Sequence, residues 1–490
     1  MAEEPHSGSD IARQAATGVM WMTAQTWLAR AGSLVTIAIL SRILAPEAFG
    51  LVAVATALLT LTYVLSDLGL STYVVQAPRV DEATLTTAFW VSVAGGVILS
   101  LAVLAGAAPL ADLLRVPEAA PIIRSMVAII VLITLTSVPL ALLRRRMAFR
   151  LLALQSSAGA LLAQISAILA AVAGLGVWAL VIQLLVGQIV TSAGSWISAR
   201  WRPRVEFSRA DFGVMVRYGA NVVGTGLVSV ARSWAETGII TAGLGIRELG
   251  YWSIAQRLVQ TGTELSGSAV LPVSTVAFAK VNSSKRRLTA AHGKATAVAQ
   301  TVVTPLMVFI AVSAAVLVPF VFGTEWFTSA ALAPALALAA VLSFGNFVDR
   351  GLLDGAGAPG RWFVFSLLVA GLSILLTALS ARHAVILVAY AALVTATVEM
   401  AGRWVLIGRF LGTGWLHIAR PFIMVLPAAS CSAAAGMLAM HLLRGAPPLV
   451  ALAVTGLAMV GVHVLVTRLI SPQVWSEMVA LLPRRRPHDS

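Results

Sequence analysis

"LAPEAFGLVAVA" (44–55) returns two hundred residues later as "LGIRELGYWSIA" (244–255), so that Leu44, Gly50 and Ala55 fall on Leu244, Gly250 and Ala255. Each copy joins a first apolar run to a second. Three identities in twelve are few, but the two copies hold matching places in the hydrophobic pattern. The chain therefore reads as two related halves followed by an extra pair of apolar runs.

The flanking composition says what those halves are. Hydrophobic residues make up 59% of the chain and charged residues 11%, whereas a soluble chain averages about 45–50% and about 25%. A bilayer absorbs that much apolar surface if every backbone group is hydrogen-bonded within a helix or a closed barrel. The runs have the length of a helical membrane span and lack the period-two alternation of barrel strands, so they are helices. Fourteen spans are expected, at 16–41, 49–74, 84–108, 121–143, 152–173, 177–199, 214–243, 250–279, 295–322, 331–353, 362–381, 384–407, 421–440 and 449–470. Only "GLG" (174–176) divides spans 5 and 6, and only "ARH" (381–383) divides spans 11 and 12, so twelve is the alternative count.

The expected fold is an all-α polytopic membrane protein of two six-helix lobes plus two C-terminal helices. A tail of residues 1–15 precedes an N-lobe at 16–199. A linker at 200–213 leads to a C-lobe at 214–407, followed by spans 13 and 14 within 408–470 and a basic tail at 471–490. Glu3, Glu4 and Asp10 give the first residues the wrong charge for a signal peptide.

The formal charge of +14 would suit a nucleic-acid binder only if it formed one patch. Twenty-five of the 34 Lys and Arg residues instead fall on the side shared by both termini, notably in the loops at 144–150, 200–209 and 280–287. Six lie opposite, at Arg42, Arg115, Arg124, Arg247, Arg382 and Arg444. That asymmetry places both termini in the cytoplasm and accounts for the charge without nucleic acid. The loops are too short for a soluble catalytic domain. No phosphate-binding Gly-rich Lys motif, metal-spaced His/Cys cluster or nucleophile elbow occurs, so neither cofactor, metal nor catalytic residue is expected. Cys431, the one cysteine, reads as a small packing residue; Trp21, Trp201, Trp326, Trp362 and Trp415 read as an interfacial belt.

"SRILAPEAFG" (41–50) followed by "LSDLGLSTYVVQ" (65–76) resembles the start of the bacterial polysaccharide exporters of the MOP superfamily, the Wzx-type flippases for lipid-linked oligosaccharides. "LGIRELGYWSIAQRL" (244–258), Pro272 and "LLDGAGAPGRW" (352–362) continue the resemblance through the second half. Ala45 stands where the family often has Gly, and Glu236 where it commonly has Asp. The resemblance implies two lobes around a cavity that opens to each membrane face in turn. It also implies a bacterial inner-membrane location and, as substrate, a glycan on an undecaprenyl diphosphate carrier. Membrane lipids and a polysaccharide polymerase or glycosyltransferases would be its partners. In relatives that flip the peptidoglycan precursor, cavity arginines take the diphosphate and helices 13 and 14 line a groove for the tail.

Charges within the spans supply the candidate site. A charge at mid-membrane costs about 2.5–3.5 kcal/mol on insertion scales, so such residues normally face a bundle interior or water. Arg232 and Glu236 in "VARSWAETGIITAGLG" (230–245) share a helical face at i and i+4, and either pair with each other or serve a ligand. Arg30, Arg232 and Arg257 come from spans 1, 7 and 8; guanidinium is permanently charged and fits phosphate oxygens, so these three are the expected diphosphate ligands. Glu236, Glu264 and Asp67 are candidate proton or ion carriers, with neutralisation of an arginine or a helix-end hydrogen bond as the plain alternative. Glu399 and Arg403, four residues apart, read as a structural ion pair, and His463 as a packed residue. Two other functions stay in view. One is an antiporter of the multidrug type, whose cavity would favour carboxylates; the other is a membrane-embedded polymerase or glycosyltransferase, which would need a long outer loop.

Overall fold

A computed structural model describes residues 29–65, 70–77, 80–281, 284–356, 358–472 and 475–476. Asp67 and Trp21 lie outside the described residues. All regular structure among the described residues is helical: α1 (29–43), α2 (Pro46–Leu65), α3 (Leu70–Gln76), α4 (Glu82–Leu113), α5 (Ala119–Arg145), α6 (Phe149–Val172), α7 (Trp178–Ala199) and α8 (Arg209–Leu244). There follow α9 (Ile246–Val281), α10 (Lys285–Phe322), α11 (Phe327–Ser343), α12 (Asn346–Gly355), α13 (Pro359–Ser380), α14 (Val385–Leu411), α15 (Trp415–Leu442) and α16 (Pro448–Ile470).

Each of the fourteen expected spans overlaps helix among the described residues. Span 10 is divided into α11 and α12. The alternative count of twelve is excluded at both weak points. Gly174 and Gly176 sit at φ of 80° and 54° in the turn between α6 and α7, a left-handed backbone that residues with a Cβ rarely adopt. The α13 and α14 helices are parted by a turn around 381–384. Among the described residues, ten helical segments are long and apolar enough to cross a membrane, α11 and α12 counting as one run. The chain is a multi-pass membrane protein. Both charged helices, α8 and α9, fall outside those ten.

The chain forms two compact units, one ending at Ser253 and one beginning at Ile254. In the first, α6 packs along α7 and α4 along α5, while α8 lies against α2 and α4. Asp81 caps α4: its carboxylate accepts from the Thr84 amide at 2.8 Å and the Thr84 hydroxyl at 2.6 Å. Those bonds, the hydroxyl's foremost, hold the Asp81 carboxyl below the usual carboxylate range. The basic end of this unit is a packed plate rather than loose loop. Phe89 contacts Trp90, Trp196 and Trp201 edge-on, each such pair being worth about 0.5–1.5 kcal/mol beyond burial. The linker after α7 is fastened to α4, with Trp201 Nε1 donating to Glu82 at 3.0 Å and Trp90 Nε1 to the Arg204 carbonyl at 2.8 Å. The Ser208 amide donates to Thr87 at 2.9 Å. Arg145 donates to the Val74 and Ala77 carbonyls at the end of α3, and Arg146 to Ala199 at the end of α7. These basic residues thus cap helix ends as well as contributing to the loop charge.

The repeated segments meet each other. A Cβ on Gly50 would lie 2.2 Å from the Ile246 carbonyl oxygen, and one on Gly250 would lie 2.0 Å from that of Pro46. The offset of two hundred exchanges these two contacts, and it also relates Glu47 to Arg247, whose side chains stand 3.5 Å apart. The first turns of α2 and α9 therefore cross backbone to backbone, related as the two copies in the sequence are. In the second unit α10 is central, packed by α11, α15 and α16, with α14 against α11 and α13 against α14.

Alanine at Gly50 or Gly250 must push the opposing backbone away. Each change is expected to cost about 1–3 kcal/mol, as overpacking does, read as a lower thermal midpoint in detergent. Gly95→Ala, whose Cβ would meet nothing within 4 Å, should not lower it.

Candidate functional site

Ser208 caps α8, its hydroxyl accepting from the Asp211 amide at 3.3 Å, and the helix then runs uninterrupted past the charged pair. Arg232 Nε donates to Glu236 Oε1 at 2.8 Å, with the side chains 32% and 17% exposed. Trp234 lies two residues from each and so points to the other side of the helix. Its Nε1 donates to the Ala57 carbonyl of α2 at 2.6 Å. The tryptophan fixes the helix rotation, and the ion pair consequently faces away from α2. Of the two readings of Arg232 and Glu236, the pair is what forms; it neutralises the turn and lowers the penalty of its membrane position.

Arg30 is half-buried on α1, next to Ala29, whose carbonyl accepts from Gln164 Nε2 of α6 at 3.4 Å. Arg257 and Glu264 are half-buried on α9, and Glu264 accepts from Gln260 at 3.1 Å. Arg30, Arg232 and Glu236 belong to the first unit, Arg257 and Glu264 to the second.

The second unit holds a buried polar cluster that the sequence reading missed. Asp349 of α12 receives Arg403 Nη1 of α14 at 2.6 Å on Oδ2, and His292 Nε2 of α10 stands 2.5 Å from Oδ1. The three side chains are 5%, 4% and 2% exposed. Arg403 Nη2 also donates to the Leu342 carbonyl at 2.8 Å. The guanidinium lies against Gly345, where a Cβ would come within 2.4 Å of it. Glu399, one turn before Arg403, accepts instead from Ser343 at 3.1 Å and Asn346 at 2.7 Å. The expected Glu399–Arg403 pair does not form, because the break between α11 and α12 presents Asp349 to the guanidinium and two neutral donors to Glu399. The usable signal was Asp349 inside an apolar run, with a histidine shortly after the basic "KRR" (285–287).

Two further expectations are revised and one holds. Trp201, Trp326 and Trp362 are buried at 6%, 0% and 7% exposure, so they are packing residues; Trp415, half exposed, fits a belt. Cys431 is exposed on α15 rather than packed. His463 is buried on α16, as read. Beside the cluster, α10, α11, α14 and α15 enclose an apolar cavity of about 340 Å³ lined by Val308, Leu342, Leu393, Phe422 and Leu426 among others. Such a lining suits hydrocarbon.

Removing one member of a buried ion pair leaves the other uncompensated, at about 3–5 kcal/mol. Arg403→Met is expected to destabilise by that amount in denaturant or thermal unfolding, whereas Arg232→Met, at a half-exposed pair, should cost less than half as much.

Residues 39–331 match the family model described as polysaccharide biosynthesis protein. The succinoglycan biosynthesis transport protein ExoT of Rhizobium meliloti (strain 1021) is 30% identical over 292 residues, covering 60% of this chain and 59% of that protein. The lipopolysaccharide biosynthesis protein WzxC of Escherichia coli (strain K12) is 24% identical over 349 residues, 70% of this chain and 68% of that one. Among solved structures, the lipid II flippase MurJ in an inward closed conformation superposes with a TM-score of 0.76 at 13% identity, covering 93% of this chain and 100% of that one. That likeness concerns the fold alone. The match over residues 39–331 takes in more than half of the sequence, and the chain belongs to this polysaccharide biosynthesis family, while it spans about three fifths of the length of the first of these relatives.

Proposed function

We propose that the protein is a flippase. It carries an undecaprenyl-diphosphate-linked oligosaccharide from the inner to the outer leaflet of a bacterial cytoplasmic membrane by alternating access, for surface polysaccharide synthesis, and it is not an enzyme. The loop-charge asymmetry supports cytoplasmic termini. The sequence repeat supports lobes at 16–199 and 214–407, each contributing one half of the transport cycle. A polymerase or glycosyltransferases would act before and after it on the same carrier lipid.

The observation that carries the reading is the placing of three arginines on the helices expected as spans 1, 7 and 8. Arg30, Arg232 and Arg257 are half-buried on α1, α8 and α9, and a guanidinium offers a phosphate paired donors without losing its charge. Arg232 holds a carboxylate oxygen at 2.8 Å, and a phosphate oxygen is likewise an anionic acceptor, so exchange of Glu236 for diphosphate replaces one anion by another. In this reading Glu236 and Glu264 guard the arginines while no substrate is bound, and Asp67 remains a candidate coupling residue. An antiporter of cations would place carboxylates, not arginines, in this role. The apolar cavity beside α15 would take a stretch of polyprenyl tail.

Alanine at Arg30, Arg232 or Arg257 is expected to reduce export of the lipid-linked glycan at least tenfold for one or more of the three, with matching accumulation of the intermediate in the inner leaflet. Full export in all three variants, at wild-type protein levels, rejects the diphosphate assignment. Glu236→Gln and Glu264→Gln separate guarding from coupling. A guard's loss leaves the proton-gradient dependence of export unchanged, whereas a coupling residue's loss abolishes it.

A further inference from the structure

The stretch "WRPRVEFSRADF" (201–212) joins α7 to α8 and belongs to neither charged site described above. Three hydrogen bonds fix its path along α4. Trp201 Nε1 donates to Glu82, the first residue of that helix, at 3.0 Å. The Arg204 carbonyl accepts from Trp90 Nε1 at 2.8 Å, and the Ser208 amide donates to the Thr87 hydroxyl at 2.9 Å. Trp90 stands about 12 Å of helix rise beyond Glu82, and its side chain leans back toward the N-terminus by roughly a turn. The linker therefore descends a turn or more past the start of α4 and climbs again before α8. Thr87 and Trp90 both lie within the apolar span expected at 84–108.

At the bottom of this dip apolar side chains turn outward. Val205, next to Arg204, is 95% exposed and Phe207 is 55% exposed. Phe212, in the first turn of α8, is exposed too, its ring 5.7 Å from that of Phe207. Side chains so placed beside an apolar span meet lipid rather than water. Arg202, Arg204 and Arg209 are also exposed; Glu206 is the one acidic residue between them, and Asp211 lies half-buried where α8 begins. The turn between α5 and α6 adds Arg144 and Arg150, both exposed, and Arg146 fastens that turn to the Ala199 carbonyl just before the linker. The linker has no helix or strand of its own, so its amides need acceptors that hydrocarbon does not supply. That limit holds it at the boundary between acyl chains and head groups.

We propose that residues 202–212 form a phospholipid-binding wedge on the basic side of the membrane. Val205, Phe207 and Phe212 enter the outer part of the acyl layer, and Arg202, Arg204 and Arg209 hold the phosphates of anionic phospholipids above them. Apolar anchors beneath cationic heads are the arrangement that binds an interface, because an arginine stem lies among the chains while its guanidinium reaches the phosphate level. A zwitterionic head group offers the same phosphate but brings its own cation, so charge complementarity selects the anionic lipid. Trp90, 41% exposed, joins its indole N–H to the linker at the depth where tryptophan is favoured. Lipid held here anchors the first turn of α8, the helix that carries Arg232.

The test involves no glycan carrier, so it stands or fails apart from the flippase reading. Cys431, the one cysteine, is first replaced by Cys431→Ser, and Val205→Cys then takes a nitroxide label in full-length protein reconstituted in nanodiscs of phosphatidylcholine and phosphatidylglycerol. Power-saturation EPR compares the label's access to oxygen, which collects among acyl chains, with its access to a water-soluble nickel chelate. The label is expected to favour oxygen. Native mass spectrometry of the purified protein then reads which lipid is retained from an equal mixture of the two. Phosphatidylglycerol is expected to be preferred, and Arg202→Gln, Arg204→Gln and Arg209→Gln together to weaken that preference by about fivefold in affinity for each arginine lost. Glutamine at 204 leaves the carbonyl that Trp90 uses in place, so the linker keeps its path. A label at 205 without the preference for oxygen, or a lipid preference unchanged in the triple variant, overturns the proposal.

Discussion

Two carbonyl oxygens limit what the first unit can be. Ile246 and Pro46 present theirs where Gly50 and Gly250 have no side chain, and neither approach leaves space for a Cβ. Contacts this close place the first turns of α2 and α9 in direct backbone contact, with Cα–H···O geometry substituting for side-chain packing. Because the same offset relates both halves of the contact, the two copies meet as equivalents, and a change that opens one side strains its mirror. The neighbouring Glu47 and Arg247 extend the symmetry but add little energy. The pair is 3.5 Å apart with both side chains well exposed, a setting in which an ion pair is worth about 0–1 kcal/mol. Backbone approach, not the salt bridge, holds the crossing.

Membrane helices carry their charges here in two different ways. On α8 the solution is local: Arg232 and Glu236 cancel within a single turn, and a tryptophan on the opposite face sets their direction. In the second unit it is distributed over four helices, with a broken span supplying the donors. The Arg232–Glu236 contact joins two residues of one helix, whereas Asp349 and Arg403 each bridge elements whose relative positions they define.

Much of the fold was legible because hydropathy and the repeat act over long windows. Fourteen spans, the glycine turn between α6 and α7, and the two related segments all follow from residue order. The partners of single polar side chains were another matter. Glu399 and Arg403 stand at ion-pair spacing, yet the geometry of a neighbouring break redirected both, and a break inside an apolar run is invisible to hydropathy. Trp326, close to a span end, looked interfacial but is fully buried, since a position along the helix axis does not specify which way the ring points. His292 precedes the span expected at 295–322, yet α10 begins ten residues before that span and carries it into the packed interior.

Basic residues of the loops have structural work in this chain beyond the charge they carry. Arg145 and Arg146 are adjacent, yet one closes the end of α3 and the other the end of α7, so the pair joins the ends of three helices. The guanidinium's fork is put to use at Arg403, where Nη1 donates to Asp349 and Nη2 to the Leu342 carbonyl, two directions that the single nitrogen of a lysine would not supply from one plane.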